Sequence, residues 1–394
     1  MLSKHRNIRK LLLSLTIVVS VLLSNNVSTA DAENGNGQNS IYLPIVFNGH
    51  VNGFSTAEKL LGIYMEQYWT SNTVATYMSR ADTIANKKHS VTGWFISLQD
   101  VGFTKWQPDK NVNNFYRQLE ALWAQGYVSF VNIQSAKEES NYEVTDNCPI
   151  PFSAAQVANG QCDQAIGKMA DLYKAWVSLG VGRRAFIAPL PEMNGVNADG
   201  SIWTSYGGDP ANYKSAYQRF IDIFASKGIG RDQVWWVFAP NGWSVTGHEF
   251  EKYYPGDGTV DVVGFSSYNY GYCFVANPWQ RWENYDTLFE PYISRISNMA
   301  PKKPIIIAQT GTTAELQYAG EENVSAKNTW LWENYAFIAK EPQVLGILYY
   351  DFNNRTWECN WEITASAKYT GYSEGAALPE FQYLDWQGLE SIIP

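Results

Sequence analysis

Between about Ser55 and Ile363, short β-rich apolar runs alternate with longer stretches whose apolar residues recur at helical spacing. The strand-like runs are Leu61–Tyr64, Val91–Ser97, Val128–Ile133, Arg184–Leu190, Val234–Ala239, Val260–Ser266, Pro304–Ala308 and Val344–Tyr350. Helical periodicity fills Val112–Gln125, Ala165–Leu179, Tyr213–Lys227, Thr287–Met299 and Lys327–Ala339. Strand-then-helix alternation calls for a parallel sheet. Eight units over about 300 residues favour a closed barrel over an open sheet, so the pattern predicts an α/β protein with a single (β/α)8 TIM barrel. That barrel is expected to span 55–365. Residues 31–54 read as a linker with the short apolar segment Ile41–Phe47, and 366–394 as a C-terminal tail packing on the barrel. No Gly-x-Gly-x-x-Gly follows the first run and no Walker loop is present, so a phosphate cradle for a dinucleotide or nucleoside triphosphate is missing.

The N-terminus has a different pattern. Lys4, Arg6, Arg9 and Lys10 precede the apolar run Leu11–Leu23, and small residues offer cleavage after Ala30 or Ala32. A basic region, a short apolar core and a small-residue exit describe a secretory signal peptide over 1–30, and the run is too short to span a bilayer comfortably. A secreted, monomeric protein that leaves the membrane after cleavage is the expectation. Removing those four basic residues takes the formal net charge from −9 to −13. Nucleic acid and anionic membrane surfaces are therefore disfavoured as partners.

Four cysteines stand at Cys148, Cys162, Cys273 and Cys359, with no C-x-x-C and no histidine cluster to suggest zinc. In an exported chain two disulfides are the default, Cys148–Cys162 closing a local loop and Cys273–Cys359 tying distant ones. The three histidines beyond the leader (His50, His89 and His248) lie far apart, which leaves Ser–His and Cys–His catalysis poorly supported. No calcium loop is present, and neither a metal nor a cofactor is expected. Asn323-Val-Ser and Asn354-Arg-Thr fit the N-glycosylation pattern, which matters only in a eukaryotic secretory route.

Composition adds a hint about the ligand. Aromatics make up 15% of the chain, with 16 Trp and 25 Tyr, against only 17% charged residues. Amphipathic rings in such number suit a sugar face or a wet groove. In a barrel, reactive groups come from the C-terminal ends of strands and the loops just after them. Those positions hold Glu66, Tyr68 and Trp69, then Gln99 and Asp100, Gln134, Glu192 and Asn194, Asn241 and Trp243, Tyr268 and Tyr270, Gln309, and finally Asp351 and Asn353. Carboxylates, amides and large rings without a cationic clamp fit a neutral polyhydroxylated ligand. Glu192 follows an apolar strand directly, between Pro191 and Met193, where desolvation would raise its pKa as a general acid requires. Its alternative role is to cap a helix or pair with an arginine such as Arg183.

The string Pro-Leu-Pro-Glu-Met-Asn-Gly195 resembles the acid/base motif of glycoside hydrolase family 26, the β-mannanases and related endo-β-glycanases. Asp-Gln-Val-Trp-Trp-Val-Phe-Ala-Pro-Asn241 resembles that family's fifth strand. Tyr-Tyr-Pro-Gly-Asp-Gly-Thr-Val-Asp-Val-Val-Gly-Phe-Ser-Ser-Tyr-Asn269 resembles the sixth, and Lys-Lys-Pro-Ile-Ile-Ile-Ala-Gln-Thr-Gly311 the seventh. The likeness covers about Leu60 to Ile363 and is strongest from Phe186 to Gly311. It implies a retaining glycosidase with Glu192 as acid/base, the nucleophile at position 309, and Tyr268 orienting that nucleophile. Trp69, Asn194, Asn241, Trp243, Tyr270, Asp351 and Trp357 become candidates for lining the sugar sites, and a polysaccharide or oligosaccharide the expected partner.

Two departures from the family pattern stand out. Pro191 occupies the position beside the acid where the family usually has His. Position 309 is Gln, and a neutral amide cannot form or stabilise a glycosyl-enzyme ester. Three readings stay open. The first is a glycosidase by another route, either inverting with Asp351, Glu66 or Asp100 as base, or using a nucleophile carried by the substrate such as an N-acetyl group. The second is a lapsed enzyme that binds polysaccharide without cutting it, and the third a structural barrel with an incidental groove.

Overall fold

Eight parallel strands close on themselves in chain order. They are β1 (Lys59–Tyr64), β2 (Val91–Ser97), β3 (Val128–Gln134), β4 (Ala185–Pro189), β5 (Val234–Phe238), β6 (Val262–Asn269), β7 (Ile305–Thr312) and β8 (Val344–Tyr350), and β1 pairs with both β8 and β2. The computed structural model describes residues 53–65, 71–99, 114–136, 148–197, 199–273, 281–353 and 359–394. All of these belong to one compact unit, Val51–Pro394. The leader, most of the 31–54 linker, Glu66, Tyr68, Trp69, Asp100, Asn354 and Trp357 lie outside the described residues.

Helices pack around the strands: α1 (Ser71–Ala85), α2 (Asn114–Trp123), α3 (Ala154–Ala158), α4 (Asp163–Val177), α5 (Pro210–Ser226), α6 (Tyr285–Leu288), α7 (Glu290–Met299) and α8 (Val324–Lys340). Their ends follow local chemistry. Helix α5 starts three residues before the apolar periodicity does, because Asp209 caps Asn212 N at 3.1 Å and Pro210 takes the first turn, where its missing N–H costs nothing. The single helix expected over Thr287–Met299 is two, α6 and α7, with Phe289 between them at φ −124° and Pro291 opening the second. Proline cannot donate to the preceding turn, so the chain restarts there.

Strand residues alternate between two packing layers. Leu61, Ile63, Val131, Ile133, Ile187, Trp236, Ile305 and Ile307 face the helices, whereas Leu60, Tyr64, Phe130, Phe186, Trp235, Val237 and Ile306 fill the barrel. Inside, the rings of Phe130, Phe186 and Trp235 stack across β3, β4 and β5, with centroids 5.8 and 4.7 Å apart. Gly93 on β2 is required by this interior, since a Cβ there would collide with the ring of Tyr64. The tail contributes α9 (Thr370–Ala376), β9 (Phe381–Gln382) and α10 (Trp386–Ile392). Strand β9 pairs with Lys59 and Leu60 at the start of β1, and Leu384, Leu389 and Ile393 join the interior cluster. One end of the barrel is thereby closed by the tail, and the end where the strands finish carries the polar groups.

Both expected disulfides are formed, Cys148–Cys162 and Cys273–Cys359, with Cα atoms 4.3 and 5.5 Å apart. Among the described residues no helix is long and apolar enough to cross a membrane, and no group of three or more His, Cys, Asp or Glu could hold a metal ion.

Candidate active site

Glu192 lies in a tight turn immediately after β4. Leu190 and Glu192 both adopt positive φ, 54° and 56°, on either side of Pro191. Such backbone costs about 1–3 kcal/mol per residue outside glycine and persists only where its surroundings hold it. Here Leu190 N donates to Ile133 O at 2.8 Å, Glu192 N to Ala239 O at 2.8 Å, and Gly195 N to Glu192 O at 2.9 Å. Tyr206 donates its hydroxyl to Pro191 O at 3.0 Å. The turn is therefore pinned to β3 and to the end of β5, and the carboxyl points where those strands finish.

Two donors converge on one carboxylate oxygen. Ser266 Oγ donates to Glu192 Oε1, and Asn241 Nδ2 approaches the same atom at 3.4 Å. Oε2 has no protein partner among the described residues. Ser266 reaches this position by ordinary alternation, on the inward side of β6 that Val262 and Gly264 also occupy, and is bridged to Asn241. Burial pushes the Glu192 carboxyl above its ordinary value, with Ser266 and Asn241 opposing that shift by stabilising the anion. The net direction is upward.

Gln309 sits on β7, buried at 3% exposure. Its Oε1 accepts the hydroxyl of Tyr268, the penultimate residue of β6, at 2.9 Å. Gln309 also hydrogen-bonds the hydroxyl of Tyr64, which accepts Asn132 Nδ2 at 2.6 Å. Burial raises both tyrosines well above their ordinary range, and the nearby Glu192 charge pushes each further. They stay protonated donors, and Glu192 lies within electrostatic reach of the Gln309 cluster.

Beside Tyr268 the rings form a wall. Trp361 lies 5.0 Å from Tyr268, Tyr350 5.7 Å from it, and Tyr270 5.6 Å from Trp361. A Cβ on Gly311 would meet Trp361 at 2.9 Å, so glycine two residues beyond Gln309 lets the indole approach.

The remaining candidates divide by how fully their polar atoms are used. Asn194 is completely buried, and its side chain donates to Asn241 O (2.9 Å), Trp243 O (3.3 Å) and Ser244 Oγ (3.2 Å) while accepting from Asn241 N (2.9 Å). It clamps the loop after β4 to the loop after β5. Asp351 is likewise saturated. One oxygen accepts Ile363 N (2.7 Å) and Thr364 N (3.1 Å), and the other accepts Tyr77 hydroxyl (2.9 Å) and Thr364 Oγ1. Trp243, by contrast, leaves 37% of its surface exposed beside the mouth.

Three neighbours of this site escape a reading of strand ends. Ser266 lies inside β6, two residues before Tyr268, and not past the strand's end. Trp361 arrives from beyond β8. Trp203 lies in the loop after Glu192 and folds back through a Val196–Ile202 bridge and its own N–H to Gly195 O (3.3 Å). Its indole covers Gly195, where any Cβ would collide, and remains 38% exposed. The excess of tryptophan is the only sequence signal that pointed to it.

One end of the closed (β/α)8 barrel thus gathers a desolvated glutamate after β4, a tyrosine–amide pair across β6 and β7, and half-exposed indoles at the rim. Residues 186–328 match the family model for glycosyl hydrolase family 26. A curated relative, endoglucanase H of Acetivibrio thermocellus, is 28% identical over 226 residues, which is 56% of this chain but only 23% of the relative. The chain thus spans about a quarter of that relative's length. Among solved structures, a β-mannanase from a symbiotic protist of the termite Reticulitermes speratus, complexed with a gluco-manno-oligosaccharide, has TM-score 0.56 at 14% identity. The comparison covers 85% of this chain and 90% of that one. A GH26 β-mannanase from Bacteroides ovatus gives 0.54 at 16% identity, covering 82% and 90%. A mannanase of Bacillus subtilis gives 0.51 at 16%, covering 83% and 86%. These likenesses establish the shared fold.

Proposed function

We propose that this barrel acts on a β-linked polysaccharide, mannan-type first, and hydrolyses O-glycosidic bonds with Glu192 as general acid/base. The carrying observation is the Glu192 carboxyl itself, raised by burial, seated by Ser266 and Asn241 on one oxygen and unpartnered on the other. A protonated carboxyl of this kind delivers its proton to the leaving glycosidic oxygen, and the resulting carboxylate then takes a proton from the incoming water. The names of the relatives, β-mannanases and an endoglucanase, support the polymer class.

The second half of the reaction needs a group on the opposite sugar face. Gln309 supplies shape and hydrogen bonds there without charge, so the ester route of a retaining enzyme is closed to it. Asp351 has its lone pairs committed to four donors, which makes it a poor base. An inverting route would then fall to Glu66 or Asp100, or the substrate would supply its own nucleophile. Gln309 also favours a second reading, in which the barrel binds glycan without cutting it. Export through the 1–30 leader into an oxidising compartment, where both disulfides persist, belongs to the same proposal.

Reducing-end release from mannan, glucomannan, xylan and mixed-linkage β-glucan tests the hydrolytic reading. Loss of about 10²–10⁴-fold in Glu192→Gln supports it. Retained glycan binding with no release on any polymer overturns it in favour of the binding reading.

A further inference from the structure

A cavity lies on the flank of the barrel beside the loops that follow β6 and β7, and its wall includes none of Glu192, Ser266, Asn241, Tyr268 or Gln309. It has a volume of about 370 Å³ and is walled by Trp282, Asn284, Ser325, Thr329, Trp330 and Glu333. Its size falls within the range of small-molecule sites and accommodates a sugar ring with room to spare. Trp330 is buried and held, its indole N–H donating to Glu283 O at 2.8 Å. Glu283 N in turn donates at 3.0 Å to Asn269 Oδ1, and Asn269 directly follows Tyr268. The cavity wall is thus fixed to the strand that carries Tyr268.

The chemistry of the lining is as specific as its position. The Asn284 amide, the Ser325 and Thr329 hydroxyls and the Glu333 carboxylate make no side-chain hydrogen bond to the described protein. All four are exposed. Unpaired donors and acceptors beside the partly exposed indole of Trp282, with no cation among them, suit a neutral polyhydroxylated ring and not a phosphate or sulfate. We propose that this cavity is a second glycan-binding site, which holds a neighbouring stretch of the polysaccharide while the mouth at Glu192 engages its own. The inference rests on the glycan reading of the mouth. A tethered second contact raises the effective concentration of chain at the first and strengthens binding of long polymers more than of short ones.

Two measurements test it. In calorimetric titration with mannohexaose, the wild-type chain is expected to bind two equivalents, and Thr329→Arg, which fills the cavity from an exposed helix position, only one. In native gels containing glucomannan, Thr329→Arg and Glu333→Ala are each expected to lower the retention constant about tenfold, within the gain that linking two sites provides. Near-UV circular dichroism unchanged in both variants shows that the fold is kept. One equivalent in the wild type, or undiminished retention in both variants, overturns the second site and leaves the mouth reading standing. No binding of any glycan by the wild type overturns both.

Discussion

The hydroxyl of Tyr268 donates to Oε1 of Gln309 at 2.9 Å, while Gln309 also bonds the hydroxyl of Tyr64. Both tyrosines could serve a carboxylate at position 309 as donors without any backbone change, because a hydroxyl can turn its proton toward either group. Substituting Gln309→Glu is therefore expected to fold as the parent does. It should create or raise glycan hydrolysis by about a hundredfold or more, the scale that a positioned catalytic group supplies. Reducing-end assays on glucomannan and mannan check this. Unchanged activity would place the second catalytic group elsewhere, with Glu66 and Asp100 as the next substitutions.

Ser266 controls the charge of Glu192. Its Oγ donates to the carboxylate, and the anion is the form that this bond favours. Replacing Ser266→Ala removes that support, so the Glu192 pKa rises further. Activity that needs the protonated acid falls as pH passes that pKa, so the basic limb of the pH profile moves to higher pH. A charge-assisted hydrogen bond of about 1.5–3 kcal/mol corresponds to a shift of one to two pH units. The profile should be recorded in whichever background is active, native or Gln309→Glu. A limb that stays in place would assign Ser266 to packing alone.

The same burial gives Glu192 a stability signature. Its folded pKa lies above the ordinary value of 4.5, so the native state is favoured below that pH and loses stability as pH rises through the folded pKa. Glu192→Gln is expected to raise the urea midpoint at neutral pH, with the gain vanishing as pH falls below about 4.5. A variant equally stabilised at pH 4 and pH 7 would contradict the sign.

The barrel was legible because parallel strands buried on both faces leave near-continuous apolar runs, and all eight runs became strands within a few residues of their expected bounds. Helix ends were less legible, since Asp209 with Pro210 and the Phe289–Pro291 step act through caps and missing donors that apolar periodicity does not register. Strand-end reading named Glu192, Tyr268 and Gln309 because such positions follow directly from the runs, and the fold brings the three to one end of the barrel. It missed Ser266, which lies inside β6 and not past its end, and Trp203, which reaches Gly195 only by folding back through the Val196–Ile202 bridge. Asp351 and Asn194, expected among the residues lining the sugar sites, have their polar atoms engaged by neighbouring segments, which a sequence does not display.

Trp203 and Trp243 stand on the loops after β4 and β5, the same loops that Asn194 clamps beside Glu192. An acid next to the leaving oxygen puts the leaving-group sugars on its own side, so these two indoles are expected to stack on them. Trp203→Ala and Trp243→Ala should each weaken mannohexaose binding by about five- to fiftyfold, the loss of roughly 1–2.3 kcal/mol of ring contact. Isothermal titration measures it. Affinity within twofold of the parent in both variants would move the sugar chain away from these loops.

Lys327 makes the last prediction, and it concerns the segment that holds Asp351. The ammonium is fully buried in α8, donates to Glu362 O at 3.2 Å, and lies 4.4 Å from the centroid of the Tyr369 ring. Burial lowers its pKa to about 7, although the neighbouring Asp351 charge works in the opposite direction. In the unfolded chain the same lysine stays protonated up to about 10.5. Between those two values the unfolded state binds more protons than the native one, so native stability rises with pH across the window. Lys327→Met removes the titration and keeps most of the volume. The urea midpoint of the parent should therefore gain on that of the variant as pH goes from 6 to 9. Parallel midpoints over that range would show that Lys327 keeps its proton in the fold, held by the carbonyl, the ring and Asp351 together.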